Sequence, residues 1–429
     1  MKMRLPKDKL KKVADTSVLI LAFLIPSGFY FLDLAVLAVI GVCRLLQGNL
    51  PARAPRLKEP RVFIPICFYL YICAGSLFSH NTSEAFSSWS EKLPNLLYPL
   101  IIGTAPGKDR DLLTRALRIF VISVCLSMAE ALLFAGADTL ATHTATIQLG
   151  ESIYNKFSWY GLTRVFDNWH PTCVSVFCNL AIAILLHYAL NGQKSFFRKY
   201  SYLLGALIFL SICVFLLYSL TEIIVYGCLL VYFGCKWILR QRWPLPVNLA
   251  AGVGMVALLA GILYANPLAM DKIKKLREKG WHASDNQDER NVLTIRLAKW
   301  ETHLDIFREH PLFGTTVGDI KDVRKKTYIA KGFKDLAAYN YNAHNEYIEV
   351  LATYGLVGGL LFAAILWTAG SLAGSNSLLI PFLIITLIAF MTESILERQQ
   401  GFNFFLFFYS LLTLSGPSEN GTHLRVLRH

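Results

Sequence analysis

The chain has 429 residues, of which 54% are hydrophobic and only 17% charged. A soluble chain would carry about a quarter charged residues, so a single soluble domain is excluded as the natural reading. The formal charge of +13 suggests nucleic acid at first sight, but the distribution of the basic residues assigns it to membrane orientation.

Taken in chain order, the apolar runs predict membrane spans at 13–28, 30–47, 62–79, 87–105, 116–135, 170–190, 200–219, 221–239, 244–265, 346–372, 378–393 and 400–416. The basic N-terminus ahead of the first run resembles a signal peptide. It is read as a retained first helix because no small-residue cleavage site follows it. The first two runs are separated at Pro26-Ser27-Gly28.

Lys and Arg crowd every second connection: the N-terminus, Arg44 to Arg61, Lys108 to Arg118, Lys194 to Lys199, Lys236 to Arg242, then Arg425 and Arg428. These hold 23 of the 42 basic residues. The alternate short connections hold only Lys92, Lys156, Arg164 and Arg398. This is the positive-inside pattern, from which long loops are exempt. It puts both termini in the cytoplasm and requires an even number of spans.

The expected fold class is therefore all-α, a polytopic membrane protein of about twelve transmembrane helices. Residues 1–265 carry spans one to nine with a medium loop at 136–169. Residues 266–345 form one large, partly helical loop on the far side of the membrane, and 346–429 carry the last three spans and a cytoplasmic C-terminus.

The long loop holds 15 basic and 11 acidic side chains, and loops of this length are usually functional or separately folded. From Asn291 to Glu309, Leu293, Leu297, Trp300, Leu304 and Phe307 recur at helical spacing, predicting an amphipathic helix that stops at His310-Pro311. The nine cysteines fall in or beside apolar runs without CxxC or ligand spacing, so they read as packing residues and no metal site is expected.

Several polar residues stand where chemistry would need them. Arg296 shares a helix side with Trp300, His303 and Phe307. It is either a solvated arginine on an amphipathic helix or a planar cation able to grip a phosphate with paired donors. His344 starts the Ala343-His344-Asn345-Glu346-Tyr347 stretch where the loop re-enters the bilayer, with Tyr347 on the same helix face. It is either a helix-start residue or a base titrating near neutrality. Glu222, Glu393, Glu397 and Arg398 all fall on that same side of the membrane. An ionisable group so close to an apolar run needs a partner, and for Glu222 the candidates are Arg164 and Arg296. No DxD motif falls in the outer loops, and no P-loop occurs.

At the long loop the chain resembles the O-antigen ligase and polymerase superfamily. The resemblance rests on Arg296-Leu-Ala-Lys-Trp300, on His310-Pro311-Leu312-Phe313-Gly314, on His344-Asn345-Glu346-Tyr347 and on Tyr354-Gly355-Leu356-Val357-Gly358. The hairpin Thr392-Glu393-Ser394 through Arg398 and Gly401 extends it, as does the layout of one large loop before the last three spans. The resemblance implies a membrane-embedded glycosyltransferase of the GT-C type that is metal-independent and inverting and uses no cofactor. It would work on the periplasmic face of the bacterial inner membrane. Its donor would be an undecaprenyl-diphosphate-linked glycan and its acceptor lipid A–core, with no nucleic-acid partner.

By the same resemblance His344 would activate the acceptor hydroxyl and Arg296 would bind the diphosphate, with Arg164 as a second donor arginine. Glu222, Trp300, Tyr347 and Arg398 complete the expected substrate-binding set. One departure stands out: many members carry a Ser-Arg pair where this chain reads Ser219-Leu220-Thr221-Glu222, which leaves Arg164 or a loop lysine to supply that charge. Within the family the alternatives are the polymerase and a protein O-oligosaccharyltransferase. Outside it, the alternative is a transporter of the lipid-linked glycan, which would place its charged residues near the midplane.

Overall fold

The computed structural model describes residues 6–48, 50–105, 109–149, 152–166, 169–191, 201–241, 243–265, 292–414 and the single positions 270 and 274. Most of the first third of the long loop lies outside the described residues. So do the basic groups at 194–199 and beyond 414, and Asn291 at the start of the expected amphipathic helix.

The architecture is that of an all-α membrane protein. Among the described residues, four helices are long and apolar enough to cross a membrane: Arg110–Thr142, Pro171–Asn191, Leu220–Arg240 and Glu346–Ser371. Shorter apolar helices accompany them, among them Pro60–Ser76, Ser201–Leu216 and Leu379–Phe390. The first two apolar runs form separate helices, Lys7–Leu24 and Asp33–Leu46, divided at the Pro26 turn.

Two expectations change. The run at 87–105 is not one helix but three pieces, Thr82–Lys92, Pro94–Tyr98 and a wide turn over Pro99–Gly103. Pro94 and Pro99 each lack the N–H that would continue the ladder. The medium loop begins later than expected, because the Arg110 helix continues to Thr142. A two-stranded antiparallel hairpin follows it, Thr146–Leu149 against Ser152–Asn155, with Thr146 opposite Asn155.

Pro171–Asn191 and Gln399–Thr413 run through the middle of the bundle. Pro171 to Leu185 and Gly401 to Thr413 are buried throughout. In lipid the hydrophobic effect gives helices little reason to associate, so close packing must hold them. Here aromatic side chains supply it: Phe120 meets Phe408 at 4.7 Å, Phe177 meets Phe404 at 4.9 Å, and Phe382 stacks on Phe405 at 5.7 Å. Leu133, Leu204, Leu249, Leu360 and Trp367 are exposed on the outward faces, as lipid-facing positions should be.

The expected loop helix is present as Val292–Glu309 and ends before Pro311. Its buried face differs from the apolar stripe. Thr294, Ala298, Thr302 and Ile306 are fully buried, with Lys299 and His303 beside them, whereas Leu297, Trp300, Leu304 and Phe307 are only half-buried. On this face Ala298 packs with Tyr328, Leu336 and Ala337, and Ile306 with Ile320 and with Ala352 of Glu346–Ser371.

Candidate functional site

The site is built where the long loop meets the end of the bundle. Its floor is the Glu346–Ser371 helix, which is broken at Gly355. That residue has φ +63°, in the left-handed region that glycine tolerates. A Cβ there would lie 2.4 Å from the Leu312 carbonyl oxygen. The loop 311–316 fills the break with backbone hydrogen bonds. Leu356 N–H donates to Pro311 O (2.9 Å), Val357 N–H to Leu312 O (3.1 Å), Thr315 N–H to Ala352 O (3.2 Å) and Thr316 N–H to Thr353 O (3.0 Å). Tyr71 adds its hydroxyl to Tyr354 O at 2.7 Å. Groups orphaned by the break are thus satisfied, and the first turns, which carry Glu346 and Glu349, are held at a fixed angle.

His344 lies just ahead of those turns. The N-cap is Asn345, whose side chain accepts from Ile348 N–H at 3.2 Å and donates to Met391 O at 3.1 Å. His344 is therefore not the capping residue. It takes φ +47°, which is uncommon for a side-chain-bearing residue and is often found at functional sites. Its N–H donates to Asn342 Oδ1 at 3.2 Å.

This conformation brings the His344 Nδ1 to 3.0 Å from Glu393 Oε2. Glu393 lies three residues past the end of Leu379–Phe390. Its other oxygen, Oε1, is 3.5 Å from Arg296 Nη2 and 3.7 Å from His170 Nε2. One buried carboxylate therefore gathers two imidazoles and a guanidinium from three other stretches of chain.

The electrostatics follow from that geometry. Burial opposes ionisation of Glu393, but His170, His344 and Arg296 hold its carboxyl well below the usual range. Burial pushes the His344 imidazole below its ordinary value, with Glu393 working against the shift. At neutral pH His344 is then neutral, donates through Nδ1 to Glu393, and leaves Nε2 with a free lone pair. Burial also lowers the Arg296 guanidinium, again opposed by Glu393, yet an arginine stays charged throughout.

A second carboxylate holds the turn from below. Glu349 Oε2 accepts the Ala343 N–H at 2.7 Å and lies 3.3 Å from His303 Nε2, while Oε1 lies 3.3 Å from Arg324 Nη1. Arg324 also donates to Asn340 Oδ1 and O at 2.9 and 2.8 Å. The residue preceding His344 is therefore pinned by a buried carboxylate that is itself held between Arg324 and His303.

The other expected site residues are placed as follows. Trp300 is half-buried on the Arg296 helix. Arg398 puts its charge near His170 and Tyr160. Tyr347 turns into the bundle, where its hydroxyl donates to Leu387 O at 3.1 Å and its ring packs near Phe362 and Phe390. Arg164 stands apart from the cluster: its Nη2 is 2.6 Å from Asp138 Oδ2, which also takes Lys156 at 2.9 Å. Glu222 is fully buried, and its expected arginine partner is replaced by Asn179, which donates to it at 2.8 Å. The two arginines are already engaged by Asp138 and Glu393, so an amide serves instead.

His170 lies outside the site expected from sequence. Glu393 is placed there on the far side of the membrane and in the hairpin that carries the resemblance, without a role in the site. Contacts spanning such sequence separations leave no local pattern. The one available signal for Glu393 was a carboxylate directly after an apolar run.

A family model described as O-antigen ligase matches residues 205–363. The match runs from the Ser201–Leu216 helix to the Glu346–Ser371 helix, and includes Glu222, Arg296, Trp300, His344 and Tyr347. No curated protein matches the chain. The family match bears out the resemblance to the O-antigen ligase and polymerase superfamily, and supports a function of that type.

Proposed function

We propose that the protein is an O-antigen ligase, a metal-independent inverting glycosyltransferase of the bacterial inner membrane. It has about twelve spans of the GT-C type, both termini in the cytoplasm and the long loop in the periplasm. The donor is a polysaccharide on undecaprenyl diphosphate and the acceptor is lipid A–core.

The observation that carries this reading is the convergence of Arg296 and His344 on Glu393. Diphosphate is both anchor and leaving group, and negative charge grows on it as the glycosidic C–O bond breaks. Arg296 stabilises that charge in a site largely shielded from water. The acceptor hydroxyl oxygen forms the new bond to the anomeric carbon while its proton passes to His344 Nε2. Attack opposite the leaving diphosphate inverts the anomeric centre. Glu393 fixes the tautomer and direction of the imidazole, and becomes its counter-charge once the proton has arrived.

A deletion strain tests the assignment through its two products. A ligase strain loses smooth lipopolysaccharide but keeps long glycan on undecaprenyl diphosphate. Loss of the long lipid-linked polymer itself would make the protein a polymerase.

A further inference from the structure

Beside the His344 turn lies a cavity of about 170 Å³, whose lining includes Asn342 and Glu349 but not Arg296. It opens between the Thr82–Lys92 helix, the Ile320–Ala330 helix and the turn leading to His344. We propose that this cavity is a binding subsite for an uncharged, hydroxyl-rich sugar, the one that presents the acceptor hydroxyl. The proposal rests on the ligase reading and assigns the cavity to one of its two substrates.

Charge balance argues for a neutral sugar. The charged side chains lining the cavity are Lys92, Lys321 and Arg324 against Glu91, Glu349 and Glu397. The cations are already matched: Lys92 lies 2.6 Å from Glu397, Arg324 lies 3.3 Å from Glu349, and Lys321 pairs with Glu84. A phosphate would find no surplus positive charge here, unlike the surroundings of Arg296. A sugar asks for donors and acceptors in alternation, and ammonium, guanidinium, carboxylate and amide groups supply both. Lys92, Arg324 and Glu349 are at most 6% exposed, so the lining is built into the fold rather than assembled from mobile surface side chains.

Position argues for the acceptor. Asn342 and Glu349 line the cavity and also hold the turn: Asn342 accepts the His344 N–H and Glu349 accepts the Ala343 N–H. Arg296 reaches the same histidine through Glu393. A sugar in the cavity and a phosphate at Arg296 thus reach one base without competing for the same charges.

The test uses the full-length protein in lipid nanodiscs and a dephosphorylated, delipidated core oligosaccharide as probe. Ser88, buried on the cavity wall, is changed to leucine to fill the space, and half-exposed Lys321 is changed to glutamine. Oligosaccharide binding to the parent should weaken on the order of tenfold in each variant, the equivalent of one or two lost hydrogen bonds. Retaining the phosphates on the oligosaccharide should not tighten binding. In transfer assays the acceptor KM should rise, with donor binding unchanged and kcat at saturating acceptor close to that of the parent. If Ser88→Leu does not accumulate, Lys321→Gln carries the same comparison. A parent that does not bind the oligosaccharide, or variants that bind it equally well, would make the cavity a solvent pocket and overturn the proposal. A parent that binds in this cavity but transfers nothing from the lipid-linked donor leaves the subsite standing and overturns the ligase reading.

Discussion

Glu393 receives contacts from the long loop, from the turn before Glu346–Ser371 and from the start of Pro171–Asn191, so its charge influences three groups at once. Its effect on His344 has a definite sign. The base must be neutral to accept a proton, so transfer falls as pH drops through the His344 pKa. Burial sets that pKa below the ordinary value and Glu393 raises it. Glu393→Gln removes the raising charge, so the acid limb of the pH–rate profile should move to lower pH, while the plateau falls because the imidazole loses its counter-charge. A profile with an unmoved acid limb would mean that Glu393 does not act through His344. The same scale shows what was legible in sequence. Arg296 and His344 stood out through residue type and place in the loop. Their junction, Glu393, did not, because the chain brings 170, 296, 344 and 393 together only in three dimensions.

The element that most needs its own geometry is the Glu346–Ser371 helix. Its break at Gly355 receives the loop after His310, and each motif explains the other: Gly314, at φ +70°, would place a Cβ 2.3 Å from Thr353 O, as Gly355 would against Leu312 O. Gly355→Ala should therefore destabilise the protein by about 1–3 kcal/mol, the usual cost of a strained backbone position, and more if the loop undocks. Thermal unfolding in detergent measures this, and an unchanged midpoint would mean that the break is not held by the loop. Sequence periodicity located the Val292–Glu309 helix because its spacing is strictly local. It misjudged the buried face, because small and polar residues pack against partner helices that periodicity cannot see. It also read 87–105 as one span, since apolar content outweighed Pro94 and Pro99 in a long window.

For the whole molecule, the charge bias predicts which ends of the helices share a compartment. Reporter fusions at positions 50, 108, 196 and 240 should score cytoplasmic, and those at 85, 150 and 320 periplasmic. A cytoplasmic result at 320 would separate the Arg296–His344 cluster from a donor displayed on the outer leaflet, and the ligase reading would fail with it. Metal independence belongs to this scale too. Arg296 supplies the charge that a divalent ion would otherwise bring, so transfer by the purified protein should survive excess chelator. Activity that is lost and then restored by magnesium or manganese would contradict it.

The division of labour between Arg296 and His344 is the centre of the account, and one paired measurement reaches it: donor binding and single-turnover transfer on matched amounts of purified full-length parent, His344→Ala and Arg296→Ala. A pure base contributes to the chemical step alone, so His344→Ala should bind undecaprenyl-diphosphate glycan like the parent while transfer drops on the order of 10²–10⁴-fold. Arg296→Ala should lose donor binding as well, and Arg296→Lys should recover only part of it, because an ammonium keeps the charge but not the paired donors. Transfer by His344→Ala at the parental rate would contradict the account, as would loss of donor binding in that variant as complete as in Arg296→Ala.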